Sequence, residues 1–232
     1  DIFCQTSTID DNPFLPQEFV ENLKHELAGT VYYDRFILGH WCNASGLVYP
    51  FFPLCPDAYL FHGSTAGIDG QFYVSIDYGT HNPCSMGLWV IHEGRALRVR
   101  ESYFDSRKQR VQRTDEEHYT ELERLADGLH VSAIIVDPSA ASFIEVIRRH
   151  DRYRVEKASN SVLDGIRNVA TRLQSGDIFF CDCCTDCIRE FGMYRWDEKA
   201  QMDRPIKEND HSMDDVRYFV HRVYAPDLIS FK

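Results

Sequence analysis

The chain has 232 residues, of which 44% are hydrophobic and 26% are charged, a balance typical of a globular protein and not of a disordered one. Its 36 acidic and 25 basic side chains give a net charge of −11, which argues against a general nucleic-acid coat protein. No apolar run is long enough to span a membrane. Because the chain begins with Asp1 and shows no signal-like segment, we expect it to be a piece of a longer protein.

The first 70 residues show little periodicity outside one segment. Apolar residues recur one helical turn apart between Pro16 and Gly29, which is typical of an amphipathic helix. The predicted elements are a helix over 16–28, a short helix over 31–38 and an irregular, aromatic-rich segment over 40–70. We therefore expect residues 1–70 to form a connector that packs on a main domain of residues 71–232.

The pattern changes at Gln71, where three successive strands are predicted, and in the third Leu97 and Val99 alternate with Arg98 and Arg100. Strands are predicted over 72–77, 87–92, 97–104, 131–136, 153–156 and 178–180. Helices are predicted after a capping box at 114–117 and over 140–150, 161–174 and 210–223. The nearly continuous apolar run 131–136 suits a strand that is buried on both faces. This order predicts an α/β domain with a mixed central sheet and helices on both faces.

Three aspartates lie at positions that would meet at one edge of such a sheet. Asp77 ends the first strand, Asp137 follows the buried strand 131–136, and Asp214 lies in the last helix. Ligands of α/β sheets bind at strand ends, and converging carboxylates hold Mg²⁺ or Mn²⁺ ions that promote phosphodiester hydrolysis. Each aspartate alone is also explained as a turn, cap or surface residue, so the prediction depends on all three together. Asp215 points about 100° away from Asp214 on a helix, so only one of them is expected to face the site.

Four segments of the sequence carry a resemblance to a known family. They are 12–15 together with 35–41, then 76–80, 134–139 and Asp210-His211-x-x-Asp214-x-x-Arg217-Tyr218. In this order they resemble the C-terminal nuclease domain of the terminase large subunit of tailed bacteriophages or prophages, the motor-nuclease proteins of DNA packaging. The last segment is the most specific, and the match covers nearly the whole chain.

The resemblance implies a ribonuclease-H-like fold and a metal-dependent endonuclease that cuts concatemeric phage DNA with two Mg²⁺ or Mn²⁺ ions. It implies that Asp77, Asp137 and Asp214 are the catalytic metal ligands. The family usually has a small residue where this chain has Asp215, and this extra carboxylate could alter metal occupancy. The sequence contains no phosphate loop of the ATPase type, so ATP hydrolysis is not assigned to it.

The resemblance also implies partners and a location. It implies double-stranded DNA as the substrate and, in the full-length protein, an ATPase motor domain, a small terminase subunit and a portal, in the cytoplasm of the infected bacterial host and without a membrane. Two alternatives stay open. One is another ribonuclease-H-like nuclease such as a junction resolvase, and the other is a non-catalytic module that docks on DNA or portal.

Two further residues are candidates for the site. His211 stands three residues before Asp214 on the same helical face, where it would orient a water or a phosphate, or simply cap and pack the helix start. Lys157 follows the strand 153–156, where it would meet a phosphate or remain in solvent. Arg217 and Tyr218 are expected to anchor the last helix.

Basic residues concentrate in two stretches of this acidic chain. Between Arg95 and Arg113 there are seven basic and two acidic residues, so the local charge is +5, and a second group lies over 148–154. Phosphate contacts need local positive charge and not a basic whole. We expect DNA to contact the first stretch, through Arg107, Lys108 and Arg110, although charged runs are often only solvated surface.

Eight cysteines are too few in a chain of this length for a disulfide scaffold. Four of them fall within Cys181–Cys187, where Cys184 and Cys187 have the spacing of a zinc-binding pair, and no distant second Cys or His pair is evident. We therefore expect free thiols and no zinc.

Overall fold

The computed structural model describes residues 7–228, and these residues form a seven-stranded mixed sheet with helices on both faces. The strands are β1 (Leu60–Phe61), β2 (Gln71–Asp77), β3 (Cys84–His92), β4 (Arg95–Phe104), β5 (Val131–Val136), β6 (Val155–Lys157) and β7 (Ile178–Cys181). Their spatial order is β1-β7-β4-β3-β2-β5-β6. β3 runs antiparallel to both of its neighbours, and the other pairs are parallel. The predicted α/β fold with a mixed central sheet is confirmed.

The α-helices of the described residues lie close to the predicted positions, with three short additions. They are α1 (Gln17–Leu27), α2 (Phe51–Leu54), α3 (Ser106–Gln109), α4 (Asp115–Ala126), α5 (Ala141–Arg149), α6 (Val162–Gln174), α7 (Thr185–Phe191) and α8 (His211–Leu228). The predicted helix over 31–38 contains a π-helical turn, Tyr33–Ile37. The predicted capping box before α4 is present, because Thr114 accepts from the Glu117 backbone and the Glu117 carboxylate accepts from the Thr114 backbone. None of the helices in residues 7–228 combines the length and apolar character needed to cross a bilayer.

The sheet separates two hydrophobic cores because successive residues of a strand point to opposite faces. Val74 and Ile76 of β2 pack in the core that contains α4 and α5. Ile135 of β5 points to the other core, which contains α6, α7, α8 and part of the connector. The near-continuous burial of β5 follows from its position inside the sheet with helices on both sides, as its apolar run predicts.

The connector is integrated into the second core. Phe52 is buried and stacks on Phe191 with ring centroids 4.0 Å apart. Leu60 and Phe61 form β1, which pairs in parallel with β7 at the edge of the sheet. The prediction of an irregular segment over 40–70 is therefore wrong at residues 60–61, whose two-residue strand is too short to show a periodic pattern. The boundary between residues 70 and 71 stays a prediction.

β4 departs from the regular alternation that its sequence suggests. The register shifts between Leu88 and Trp89 of β3, so that Val99 of β4 is an extra residue between Arg98 and Arg100. Such a bulge changes the side-chain pattern of the strand. As a result Arg98 and Val99 are both buried, and Arg98 has no exposed surface. Arg98 belongs to the basic stretch from Arg95 to Arg113, but its burial removes it from any surface that could contact DNA.

Candidate active site

Two of the three predicted carboxylates lie side by side because β2 and β5 are parallel neighbours. Ile76 pairs with Val136, and the Asp137 backbone N–H donates to the Ile76 carbonyl at 3.2 Å. Asp77 and Asp137 each follow one of these paired residues, so both stand at the carboxyl edge of the sheet. α8 packs on β2, β3 and β5, and its first turn brings Asp214 to the same edge.

Asp77 lies in a buried, negatively charged environment. Only 9% of the residue is exposed, and its Oδ2 lies 2.8 Å from His211 Nδ1. Burial and the neighbouring Asp214 raise the pKa of Asp77 to about 7, although His211 opposes the rise. Burial alone would lower the pKa of His211, but the hydrogen bond and charge of Asp77 raise it. His211 is therefore hydrogen-bonded to one carboxylate oxygen of Asp77, and the two side chains share a proton.

Tyr218 lies among the three carboxylates. Its hydroxyl donates to Asp137 Oδ2 at 3.5 Å, and burial together with the negative charges of Asp77, Asp214 and Asp137 raises the pKa of Tyr218. Tyr218 is buried in the core beneath α8, which agrees with its expected part as an anchor, and its hydroxyl in addition contacts Asp137. The signal is its spacing, since residues 211, 214 and 218 share one face of a helix.

Asp214 has basic neighbours that the sequence analysis did not identify. Arg217 Nη2 donates to its Oδ1 at 2.7 Å, and Lys207 Nζ lies 3.5 Å from its Oδ2. Lys207 also lies 3.5 Å from Asp210, a buried carboxylate whose pKa is raised by burial and by Asp214. The side chain of Lys207 is 68% exposed, so it reaches Asp214 from the solvent side.

The donor set suits a hard divalent cation. Carboxylate oxygens are the ligands that Mg²⁺ and Mn²⁺ prefer, and a cation would relieve the repulsion between the buried Asp77 and Asp214. Asp137 is half-buried, which leaves a route from solvent to the three carboxylates. Within residues 7–228 the structure holds no three His, Cys, Asp or Glu side chains already spaced to enclose an ion. The assignment of Asp77, Asp137 and Asp214 as metal ligands stays a prediction.

Asp215 points away from this edge. It is wholly buried and receives the Arg98 guanidinium and the Ser75 hydroxyl, the latter at 3.0 Å. Its charge still contributes to the raised pKa of Asp77, after burial and Asp214. Of the two adjacent aspartates, one faces the site and the other faces the sheet, as the helical geometry predicts.

Lys157 stands beside the candidate site. β6 pairs with β5 so that Lys157 lies opposite Val136, the residue that precedes Asp137. Lys157 is exposed at the carboxyl end of its strand. It therefore borders the same edge of the sheet without touching the carboxylates through a hydrogen bond or ion pair in the described residues.

The predicted basic stretch forms a surface next to the loop that follows Asp77. A cavity of about 430 Å³ is lined by His81, Ser106, Arg107, Arg110, Val111 and Gln112. The Ser106 hydroxyl donates to the His81 carbonyl at 2.8 Å, and Arg107 donates to Asn82 Oδ1, so α3 is tied to the loop. Lys108 lies beside this cavity, 3.5 Å from Asp105. We call the surface of His81, Arg107, Lys108 and Arg110 the basic ledge.

The second basic stretch is paired with acidic side chains. The pairs are Arg149–Glu145 at 3.1 Å, Arg152–Glu123 at 2.8 Å and Arg154–Glu156 at 3.0 Å. These carboxylates neutralise much of the positive charge that the sequence alone shows. The structure therefore favours the basic ledge over this stretch as a phosphate contact.

The cysteine cluster Cys181–Cys187 packs against β4. Cys184 and Cys187 are buried, whereas Cys183 is exposed. The thiols of Cys183 and Cys184 donate to the carbonyls of Val99 at 3.3 Å and Arg98 at 3.5 Å. Cys181 through Cys187 are free thiols, and the expectation that no zinc binds here stays a prediction.

Known proteins similar to this chain include phage terminases. The large terminase of one thermophilic bacteriophage is 41% identical, with a TM-score of 0.86 over 93% of this chain and 53% of that protein. The terminase large subunit of Escherichia phage T5 is 26% identical over 157 residues, which is 65% of this chain and 35% of that protein. The magnesium-bound large terminase nuclease of another thermophilic phage, G20c, shares the fold, with a TM-score of 0.57 at 12% identity over 76% of this chain and 97% of that one. No protein-family profile matches the sequence.

These findings confirm the resemblance that the sequence motifs indicate. The described fold agrees with that of a large terminase nuclease, a ribonuclease-H-like fold. The chain spans about half the length of the 41% identical large terminase and about a third of the T5 protein.

Proposed function

Since the chain is similar to phage large terminases over nearly its whole length, we propose that it is the metal-dependent endonuclease part of such a protein. Its substrate is concatemeric phage DNA, which it cuts during genome packaging. The observation that carries this proposal is that Asp77 and Asp137 stand side by side at the ends of the parallel strands β2 and β5, against which α8 packs with Asp214 in its first turn. Magnesium and cobalt in the large terminase nuclease of phage G20c support a divalent cation.

In this proposal Asp77, Asp137 and Asp214 hold two Mg²⁺ or Mn²⁺ ions. When bound, the ions would supply an activated water and would neutralise the charge that develops on the scissile phosphate. His211 occupies one oxygen of Asp77 and so orients the other toward a cation, as a hydrogen-bonded neighbour commonly does for a metal ligand. Arg217 plays the same part for Asp214.

The DNA backbone lies on both sides of the carboxylates in this proposal. The basic ledge stands by the loop after Asp77, and Lys157 stands beside Asp137. Binding through so few local charges in a chain of net charge −11 is weak and strongly salt-sensitive. The acidic remainder of the surface limits indiscriminate attachment.

Plasmid cutting tests the catalytic part of the proposal. Asp137→Asn is the best variant, because Asn keeps the oxygen that accepts from the Ser139 backbone at 2.8 Å while the ligand charge is lost. Cutting of supercoiled DNA with Mg²⁺ or Mn²⁺ is expected to fall by at least about a hundredfold, the scale of removing one group that stabilises charge in the transition state. Asp69→Asn, an exposed carboxylate at another place, is the matched control and should cut normally. Undiminished cutting by Asp137→Asn contradicts the proposal.

Salt-dependent DNA binding tests the basic ledge. Arg110→Gln removes a charge from the cavity rim, whereas Arg149→Gln removes an exposed charge that Glu145 already pairs. Arg110→Gln should weaken binding and lower the slope of log affinity against log salt by about one, while Arg149→Gln leaves the slope unchanged. Equal effects of the two variants would show that the ledge has no special part in DNA contact.

Two other functions are distinguished by simple measurements. A junction resolvase of the same fold would cut branched DNA in preference to linear DNA. A non-catalytic module that docks on DNA or portal would bind no Mn²⁺ in the millimolar range by calorimetry. The presence of all three carboxylates, Asp77, Asp137 and Asp214, argues against such a module.

The wider assembly belongs to the same proposal. In the full-length protein an ATPase motor domain precedes this part, and a small terminase subunit and a portal are its partners, in the cytoplasm of the infected host. The similarity to a large terminase of which this chain covers only 53% supports this arrangement.

A further inference from the structure

α8 is fixed to the sheet by a buried polar network that the proposed catalytic steps do not use. Arg98 and Asp215 have no exposed surface and form a two-pronged ion pair, with Nη2 and Oδ2 3.1 Å apart. Ser75 donates to Asp215 Oδ1 at 3.0 Å, and Ser85 donates to Oδ2. Trp89 Nε1 donates to Ser75 Oγ at 2.9 Å. The carboxylate of Asp215 is thus held from three strands, β2, β3 and β4.

The sheet provides space for this pair at one position. A Cβ atom on Gly87 of β3 would overlap the Arg98 guanidinium, so the glycine allows the side chain to lie flat across the strand. Glu101 lies 3.7 Å from Arg98 Nη2 and adds a second negative charge. The Asp215 carboxylate therefore binds the Arg98 guanidinium, which lies in the space left by Gly87, and two hydroxyl donors from separate strands.

Such a pair contributes little net stability, since replacing a buried ion pair by apolar side chains of similar volume is often neutral or stabilising. What it does provide is a fixed geometry, because a planar guanidinium meets a carboxylate in one orientation. The pair is therefore expected to affect the position of α8, the helix that carries Asp215.

A second contact holds the same face of α8. Ser212 Oγ lies 3.0 Å from Ser85 Oγ, and the Ser212 N–H donates to Glu190 Oε2 at 2.7 Å. Residues 212 and 215 therefore attach the first turn of α8 to the fold. His211 and Asp214 each precede one of these attached residues, and adjacent residues lie about 100° apart around a helix. Attaching residues 212 and 215 therefore also sets the directions in which His211 and Asp214 point.

We propose that Arg98 and Asp215 are positioning residues, which set the rotation of α8 and so place Asp214 and His211 against Asp77. This inference rests on the proposed function, because it concerns the same three carboxylates. Asp215 itself faces the sheet and contacts no reacting group. The extra acid, an apparent departure from the family pattern, thereby orients the metal ligand that precedes it.

The test removes both charges together. Arg98→Met with Asp215→Leu removes both members of the ion pair, while Glu101 keeps its hydrogen bonds from the backbone N–H groups of Asp186 and Cys187. Asp215→Asn is a milder second variant that keeps the side-chain shape. Mn²⁺ binding, measured by calorimetry, should weaken about ten- to hundredfold in the double variant, the range found for residues that orient metal ligands. Plasmid cutting should fall and recover partly at high Mn²⁺, whereas a purely structural role would change the melting temperature without changing the Mn²⁺ dependence.

A matched control is the pair of Arg35 and Asp203, a half-buried ion pair that joins the connector to the loop before α8. Arg35→Met with Asp203→Leu should leave Mn²⁺ binding unchanged. If the wild-type protein binds no Mn²⁺, the proposed function itself fails and this inference falls with it. If the wild type binds Mn²⁺ and the folded double variant binds it equally well, only the inference is overturned. Failure of both Arg98/Asp215 variants to fold also overturns it, since the pair would then support the whole fold and not the placement of Asp214.

Discussion

Replacing Asp77 with Asn should stabilise the metal-free protein at neutral and alkaline pH. The pKa of Asp77 is raised from 3.8 to about 7, chiefly by burial and by Asp214. The folded protein therefore holds a proton that the unfolded chain releases, and the free energy of unfolding falls as pH rises between these two values. His211 acts in the same direction, because the stability that its raised pKa provides at low pH is also lost as pH rises.

The magnitude follows from the two pKa values of Asp77. A rise from 3.8 to about 7 corresponds to about 4 kcal/mol at pH 8, at 1.36 kcal/mol for each pH unit. Asn carries no charge at any pH and still accepts a hydrogen bond from His211, so Asp77→Asn removes this cost. The difference between variant and wild type should be near zero at pH 4, grow through pH 5 and 6, and level off above pH 7.

Urea unfolding in a chelating buffer, repeated from pH 4 to pH 8, measures this difference. Asp69→Asn is the control for the loss of one exposed carboxylate and should follow the wild type. Saturating Mn²⁺ should then stabilise the wild type and narrow the difference, by about 2.7 kcal/mol at a hundred times the dissociation constant. A difference that does not change with pH, or a variant less stable than the wild type at pH 8, would refute the reasoning.

Three further substitutions have expected outcomes. Gly87→Ala should lower the free energy of unfolding by about 1–3 kcal/mol, because the methyl group overlaps the Arg98 guanidinium; a denaturant titration with unchanged stability would contradict this packing. Thr114→Ala should cost about 1 kcal/mol by the same measurement, because the capping box of α4 is lost. Tyr218→Phe should slow plasmid cutting about fivefold, the equivalent of one hydrogen bond of about 1 kcal/mol, without unfolding the protein, and a normal rate would show that its hydroxyl does not position Asp137.

The sequence allowed the sheet and the location of the three carboxylates to be predicted because both depend on local patterns. The apolar run of β5 and the turn residues after Ile76 and Val136 indicate strand ends, and parallel pairing then brings Asp77 and Asp137 together. The helical spacing of Asp214 from His211 places both on one face of α8. These features are short-range, so the periodicity of the sequence is enough to predict them.

The environment of Arg98 and the part played by Lys207 could not be predicted in the same way. Arg98 is buried because a bulge in β4 and a glycine in β3 act together, which is a relation between two strands and not a pattern in either one. Lys207 reaches Asp214 from the loop before α8, whose course has no periodicity. Pairing between distant segments, and not local preference, decides these contacts.

The two-residue strand β1 has a consequence for where this polypeptide can be divided. Leu60 and Phe61 cover the edge of β7, and Tyr49 and Phe52 fill the core beneath it. A fragment that starts at residue 71 would expose an unpaired strand edge beside an open aromatic cavity, a combination that favours self-association. We therefore expect a fragment that keeps the buried aromatic segment from Ala44 onward to be more soluble than one that starts at residue 71, because boundaries drawn from strand periodicity alone cut through the core.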